Sequence, residues 1–159
     1  MELKGIKTYR TEYTAEGLIT LVKESEYAYG IDIQVNSPEK LVKVFNAVFN
    51  LESMSEEYFC MIAVNTKGLV IGAFRVSQGD LTSTIIHPRE VFKRALLCNA
   101  AAVAFSHNHP SGDTVPSSDD IATTDKLVEA GKILGIAVWD HVIIGSNGFA
   151  SLREQGLIA

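Results

Sequence analysis

The sequence predicts an α/β fold, a mixed central β-sheet flanked by helices. Three observations carry that expectation. Short apolar runs of strand length interleave along the chain with segments of helical periodicity. Helix starts are marked by Ser or His followed by Pro, and by Ser followed by an acidic pair. Finally, 47% hydrophobic against 21% charged residues over 159 positions gives enough material for one cored domain and argues against disorder.

Taken in order, residues 17–35 have the weakest pattern, with GLITLVKE reading as an edge strand and YGIDIQV as a second, alternating one. SPEKLVKVFNAVFN is a helix to about Asn50. Ser37 is its N-cap, Pro38 its first residue, and Leu41, Val44, Phe45, Val48 and Phe49 recur at helical spacing. YFCMIAVN and LVIGAFRVS form a hairpin of two largely buried strands, with Asn65 to Gly68 as the turn. A helix restarts after Pro88 in HPREVFKRALLCN. AAVAFSH, too short and too closely bracketed by polar residues for a helix, reads as a buried strand. The longest helix is SSDDIATTDKLVEAGKILG, with an imperfect apolar stripe of Ile121, Leu127, Val128, Ile133 and Leu134. IAVWDHVIIG is a long final strand and FASL a short one.

Composition excludes several classes. No apolar run approaches the ~20 residues of a membrane span, and MELKGIKTYR lacks the apolar segment of a signal peptide, so a cytoplasmic protein is expected. Net charge is −5 with scattered cations, the densest group being Arg89, Lys93 and Arg94, which predicts weak or no autonomous nucleic-acid binding. Cys60 and Cys98 form no CxxC and read as buried small hydrophobes.

The informative stretch is SHNHPSGDTVPSSDD, residues 106–120. A pair spaced HxH at a strand end points both imidazoles, His107 and His109, to the same face. VPSSDD looks like a helix start with Ser117 as N-cap and Asp120 at the third helical position. PSGDTVP would fold the chain back so that this turn faces the strand end. Two neutral imidazoles and one carboxylate make an open shell of three ligands that suits Zn2+, with water in the fourth position. Each residue also has a plainer explanation. Ser117 and Asp120 are already accounted for as a cap and a favourable first-turn charge, and Asp113 and Asp119 as solvated carboxylates.

The spacing HxH, seven residues, Ser, two residues, Asp resembles the JAMM metal motif of the JAB/MPN metalloprotease superfamily, filled here by His107, His109, Ser117 and Asp120. HNHPSGDTVPSSDD is similar to the RadC-type branch, as are HPREVFKRAL, GIAVWDHVIIG and SLRE, so that the likeness runs from about Glu57 to Glu154. Longer RadC proteins begin with a helix-hairpin-helix region. No such hairpins are read in residues 1–50, so the chain resembles a short, JAB-domain-only member.

The resemblance implies a JAB/MPN, cytidine-deaminase-like architecture. It divides the chain into an N-terminal extension, residues 1–50, packed on a metal-binding domain, residues 51–159, the two forming one compact domain. It implies that His107, His109 and Asp120 bind zinc, that Ser117 stabilises a tetrahedral intermediate, and that a glutamate just before a strand, best matched by Glu57, serves as acid and base. Zinc would activate water while the carboxylate moves its proton to the leaving amine. The expected partner is therefore a peptide or isopeptide substrate. Two other readings stay open: a DNA-repair or mobile-element-associated protein, and a metal-bearing interaction domain without turnover. HExxH, the HxE with PCxxC of zinc deaminases, and a GxSxG elbow are all absent. His87 caps a helix or supports the site, and either Asp140 or His141, on opposite faces of their strand, can back a zinc-bound imidazole.

Overall fold

In the computed structural model, which describes residues 5–28, 34–79 and 86–159, the chain runs as a ladder of short elements. The first half contains β1 (Gly5–Tyr13), β2 (Ile19–Ala28), α1 (Pro38–Phe49), a 3-10 turn (Leu51–Ser53), β3 (Tyr58–Val64) and β4 (Val70–Gln78). The second half contains α2 (Pro88–Leu97), β5 (Ala102–Asn108), α3 (Ser118–Leu134), β6 (Ala137–Gly145) and β7 (Gly148–Ser151). The strands form one seven-stranded sheet in the order β2-β1-β4-β3-β5-β6-β7. It is mixed: β1 pairs with β4 and β5 with β6 in parallel, and the other neighbours are antiparallel.

Alternation along β3 builds the core on both faces. Cys60, Ile62 and Val64 point to the side where α1 lays down Val44, Phe45 and Val48. Phe59, Met61 and Ala63 point to the other, against Val91, Phe92 and Ala95 of α2 and Leu127 of α3. Continuous burial of β3, β5 and β6 follows from this layering, because both faces of the sheet centre are covered.

The helix caps follow the expected chemistry. Ser37 Oγ accepts from the Lys40 amide at 3.3 Å, and α1 closes at Asn50 in the left-handed region. GLITLVKE belongs to the edge strand β2, whereas the YGIDIQV expectation falls largely on residues 29–33, outside the described residues. Cys60 is buried, and burial pushes its thiol up to about 12. Cys98 is only partly buried, at the end of α2.

The stripe expected on α3 is corrected in part: Leu127 lies in the core and Val128 packs against it, but the C-terminal end of the stripe faces outward. Ile133 is 86% and Leu134 45% exposed. The residues facing inward are Asp120, Thr124, Leu127 and Gly131, a correct helical spacing written mostly in non-apolar letters. Gly131 lies where a Cβ would meet the Ile136 carbonyl oxygen at 2.4 Å, so its lack of a side chain sets how closely α3 approaches the turn into β6.

Candidate metal centre

Three backbones converge at the C-terminal end of β5. His107 is the register partner of Phe59 on β3 and Ile143 on β6, so it sits on the α2 and α3 face with a side chain only 1% exposed. His109 follows just beyond the strand, its amide donating to the Ile144 carbonyl at 2.9 Å. The intervening loop is pressed against β6. A Cβ on Gly145 would meet the Gly112 carbonyl oxygen at 2.5 Å, so only glycine lets the loop turn back this tightly. That turn delivers the start of α3, where Ser117 Oγ accepts from the Asp120 amide at 3.0 Å and Asp120 Oδ2 accepts from the Ser117 amide at 2.8 Å.

The result brings His107 Nε2 within 2.9 Å of His109 Nε2 and 3.2 Å of Asp120 Oδ1, with His109 Nε2 3.2 Å from Asp120 Oδ2. Ligands at about 2.1 Å from a tetrahedral ion stand about 3.4 Å apart, so these separations need open only slightly to admit one. Among the described residues no fourth His, Cys, Asp or Glu joins the group.

Hydrogen bonding fixes where the imidazole protons are. Thr124 Oγ1 donates to the Asp120 carbonyl at 2.7 Å, so toward His141 Nδ1, 2.6 Å away, it must accept. His141 therefore carries its proton on Nδ1, and its Nε2 accepts from His107 Nδ1 at 2.7 Å. His107 is left with a bare lone pair on Nε2. His109 reaches the same state independently, because its Nδ1 donates to the Asp113 carbonyl at 2.7 Å. Two lone pairs and a carboxylate thus face one another, an arrangement that calls for a cation between them.

Electrostatics agree. Burial would raise the Asp120 carboxyl, but the adjoining His107 and His109 rings overcome it in the metal-free protein and hold the group well below the usual carboxylate range. The hydrogen bond to Asp120 raises His109, with the Asp113 carbonyl adding to the effect and the charge of Glu57 contributing least. Without a metal, the same two oxygen acceptors thus favour a proton on His109 Nε2 in the place a cation would take. Burial drives His141 well below the ordinary imidazole value, so it acts as a neutral ring.

With Ser55, Glu56, Gln78, Gly79 and Pro110, the residue after His109, Glu57 lines a cleft of about 630 Å³. His109 is the most exposed of the three candidate ligands, at 14%. Glu56, its neighbour, accepts a hydrogen bond from Gln78. Among the described residues the Glu57 carboxylate has no hydrogen-bond partner, and Ser117 uses an oxygen lone pair for its cap, leaving its O–H free to donate.

Residues 35–157 match the RadC-like JAB domain family. The chain belongs to that family. It is 44% identical over 139 residues to a UPF0758 protein of Methanococcoides burtonii, covering 84% of this chain and 61% of that one. It is 42% identical over 160 residues to a UPF0758 protein of Clostridium beijerinckii, covering 99% and 69%, and 46% identical over 127 residues to one of Clostridium botulinum, covering 80% and 55%. The chain spans about half to two thirds of the length of these curated relatives.

In this RadC-like JAB domain the remaining candidates separate cleanly. His141 faces the metal-facing residues and Asp140 faces away. Asp140 accepts from Ser151 Oγ at 2.6 Å and from the amides of His141 at 2.7 Å and Arg153 at 3.1 Å, so it ties SLRE to β6. His87 occupies the N-cap position of α2, but its side chain makes no capping hydrogen bond. Asp113 and Asp119 are exposed carboxylates, as expected. Thr124, Asn108 and the Asp113 carbonyl were not anticipated. Thr124 had one signal, its place four residues after Asp120 on the inward stripe of α3. A backbone carbonyl has none.

Proposed function

We propose that this domain is a zinc-dependent hydrolase acting on peptide or isopeptide bonds. The observation that carries the reading is the pairing of two inward imidazole lone pairs and a carboxylate with an unengaged glutamate near enough for its charge to act on His109. Three protein ligands leave a coordination position for reactants, as catalytic zinc sites do, whereas structural sites close with a fourth. Zinc held there would supply a Lewis acid that polarises the scissile carbonyl and makes water nucleophilic near neutral pH. Glu57 takes the proton from water and returns it to the departing amine. The free Ser117 O–H donates to the oxyanion that develops at the carbonyl.

The test is metal analysis with a screen of peptide and isopeptide substrates. One zinc per chain should be lost when His107 and His109 are both replaced by alanine, and full occupancy in that double variant would remove the ligand assignment. Glu57→Gln should keep its zinc while turnover falls roughly 10²- to 10⁴-fold, the range of acid–base catalysis. Glu56→Gln, which can still bond Gln78, should be nearly silent. Two fully active variants would take the glutamate out of the mechanism.

A further inference from the structure

The residue between the two histidines is also committed. Asn108 is 1% exposed, and by strand alternation its side chain leaves β5 on the face opposite His107. The backbone pairing of β3 with β5 ends at Phe59 and His107. One step further, the Asn108 carboxamide takes over. Its Oδ1 accepts from the Tyr58 amide at 2.9 Å, and its Nδ2 donates to the Glu56 carbonyl at 2.8 Å and the Met54 carbonyl at 3.4 Å. Those partners are respectively a donor and two acceptors, so the amide can be oriented only one way.

The Glu56 carbonyl and the Tyr58 amide belong to the two peptide groups that flank Glu57. Asn108 therefore holds both, while the Glu57 carbonyl accepts from the Gly79 amide at 2.9 Å. The backbone of Glu57 is fixed on three sides and its carboxylate is left unengaged. We propose that Asn108 is a positioning residue that sets Glu57 relative to the metal ligands on either side of it in sequence, an inference that rests on the hydrolytic reading above. The job demands a donor and an acceptor on one short side chain. An ionised aspartate offers only acceptors, and glutamine is a methylene too long.

The experiment uses the zinc-loaded chain. Asn108→Ala should keep one zinc per chain, lose hydrogen-exchange protection at the Tyr58 amide, and lower kcat by up to roughly 100-fold with little change in KM, the cost of a ~1 Å misplacement. Combined with Glu57→Gln it should lower turnover no further, since there is no base left to misplace. A purely structural role would slow the Glu57→Gln background as well. Unchanged protection at Tyr58, which needs no substrate to measure, overturns the proposal, as does additive loss in the double variant. Asn108→Asp, which keeps the acceptor for Tyr58 and removes the donor to Glu56, guards against a failure of the alanine variant to fold, and a folded, zinc-loaded Asn108→Asp with normal kcat also overturns it. If Glu57→Gln is slow and Asn108→Ala is not, this proposal alone falls. If Glu57→Gln turns over normally, the hydrolytic reading falls and takes the proposal with it.

Discussion

Replacing His141 by phenylalanine isolates one link of the chain that orients His107. The ring is fully buried and packs edge-on against Phe59 at 5.5 Å and Phe105 at 6.3 Å, so a phenyl group of similar size keeps those contacts. What disappears is the acceptor for His107 Nδ1. A buried donor left unpaired costs about 1–3 kcal/mol. The metal-free protein can relieve this by turning the ring or moving its proton, but a metal on Nε2 forbids both, so the cost falls on the bound state. Zinc affinity should drop roughly 10- to 100-fold, the usual effect of losing a partner behind a metal-binding imidazole. At about 1.4 kcal/mol per tenfold, that is about 1.4–2.8 kcal/mol, within the same range. Thr124→Val acts one link further out and should cost less, while Thr124→Ser keeps the hydroxyl and should bind zinc like the parent. Competition against a chelator of known affinity measures all three, with near-ultraviolet dichroism checking the fold. A folded His141→Phe protein with parental zinc affinity would refute the proton assignment, and with it the argument that His107 is oriented through His141 and Thr124.

Two further outcomes follow from the charges. In metal-free protein, His109 has its pKa raised, mainly by Asp120, so its stabilisation is complete below the ordinary value of ~6.5 and is lost as pH climbs through the folded value. His141 has its pKa lowered by burial, so below ~6.5 the unfolded chain gains a proton that the native one refuses, and stability falls. The Tm without metal should therefore peak near pH ~6.5, and a Tm rising steadily between about 6 and 8 would contradict this. For nucleic acid, a net charge of −5 and scattered cations should leave duplex DNA binding at or weaker than the ~10⁻⁴ to 10⁻⁶ M of non-specific contacts. Tight, sequence-selective binding by the purified chain would instead favour a DNA-associated role.

How much was legible depended on whether a residue's role was local. Ser37, Ser117 and Asp120 advertise helix starts through short-range chemistry, and both caps lie where the spacing put them. β1 carries no such signal, since only Ile6 and Thr8 of its nine residues are buried and its place beside β4 is set by a distant strand. Alternation separated Asp140 from His141 but could not say which face of β6 held the metal-facing residues, because that depends on β5 lying beside it in parallel. The α3 stripe misled for a chemical reason: two of its four inward positions, Asp120 and Thr124, are occupied by polar groups of the site. Asn108 was hidden by its position, inside a motif whose flanking histidines draw all the attention.

These supports bear on what a bound metal would do for the protein. Each metal-facing group is already held by something other than an ion: His107 by His141, His109 by the Asp113 carbonyl, and Asp120 by the Ser117 amide. The holders come from β6, the connecting loop and the start of α3, and two apolar layers stabilise those elements without reference to the site. A small zinc domain that folds only on binding its metal has neither feature, since there the binding energy is the folding energy. Asp120 makes the contrast concrete, because one oxygen serves the helix cap and both face an imidazole, so the cap persists whether or not a cation is present. A metal added to a finished fold would be free to exchange ligands at a position the protein leaves open, because the three side chains that would hold it are set in place by the fold and not by the ion.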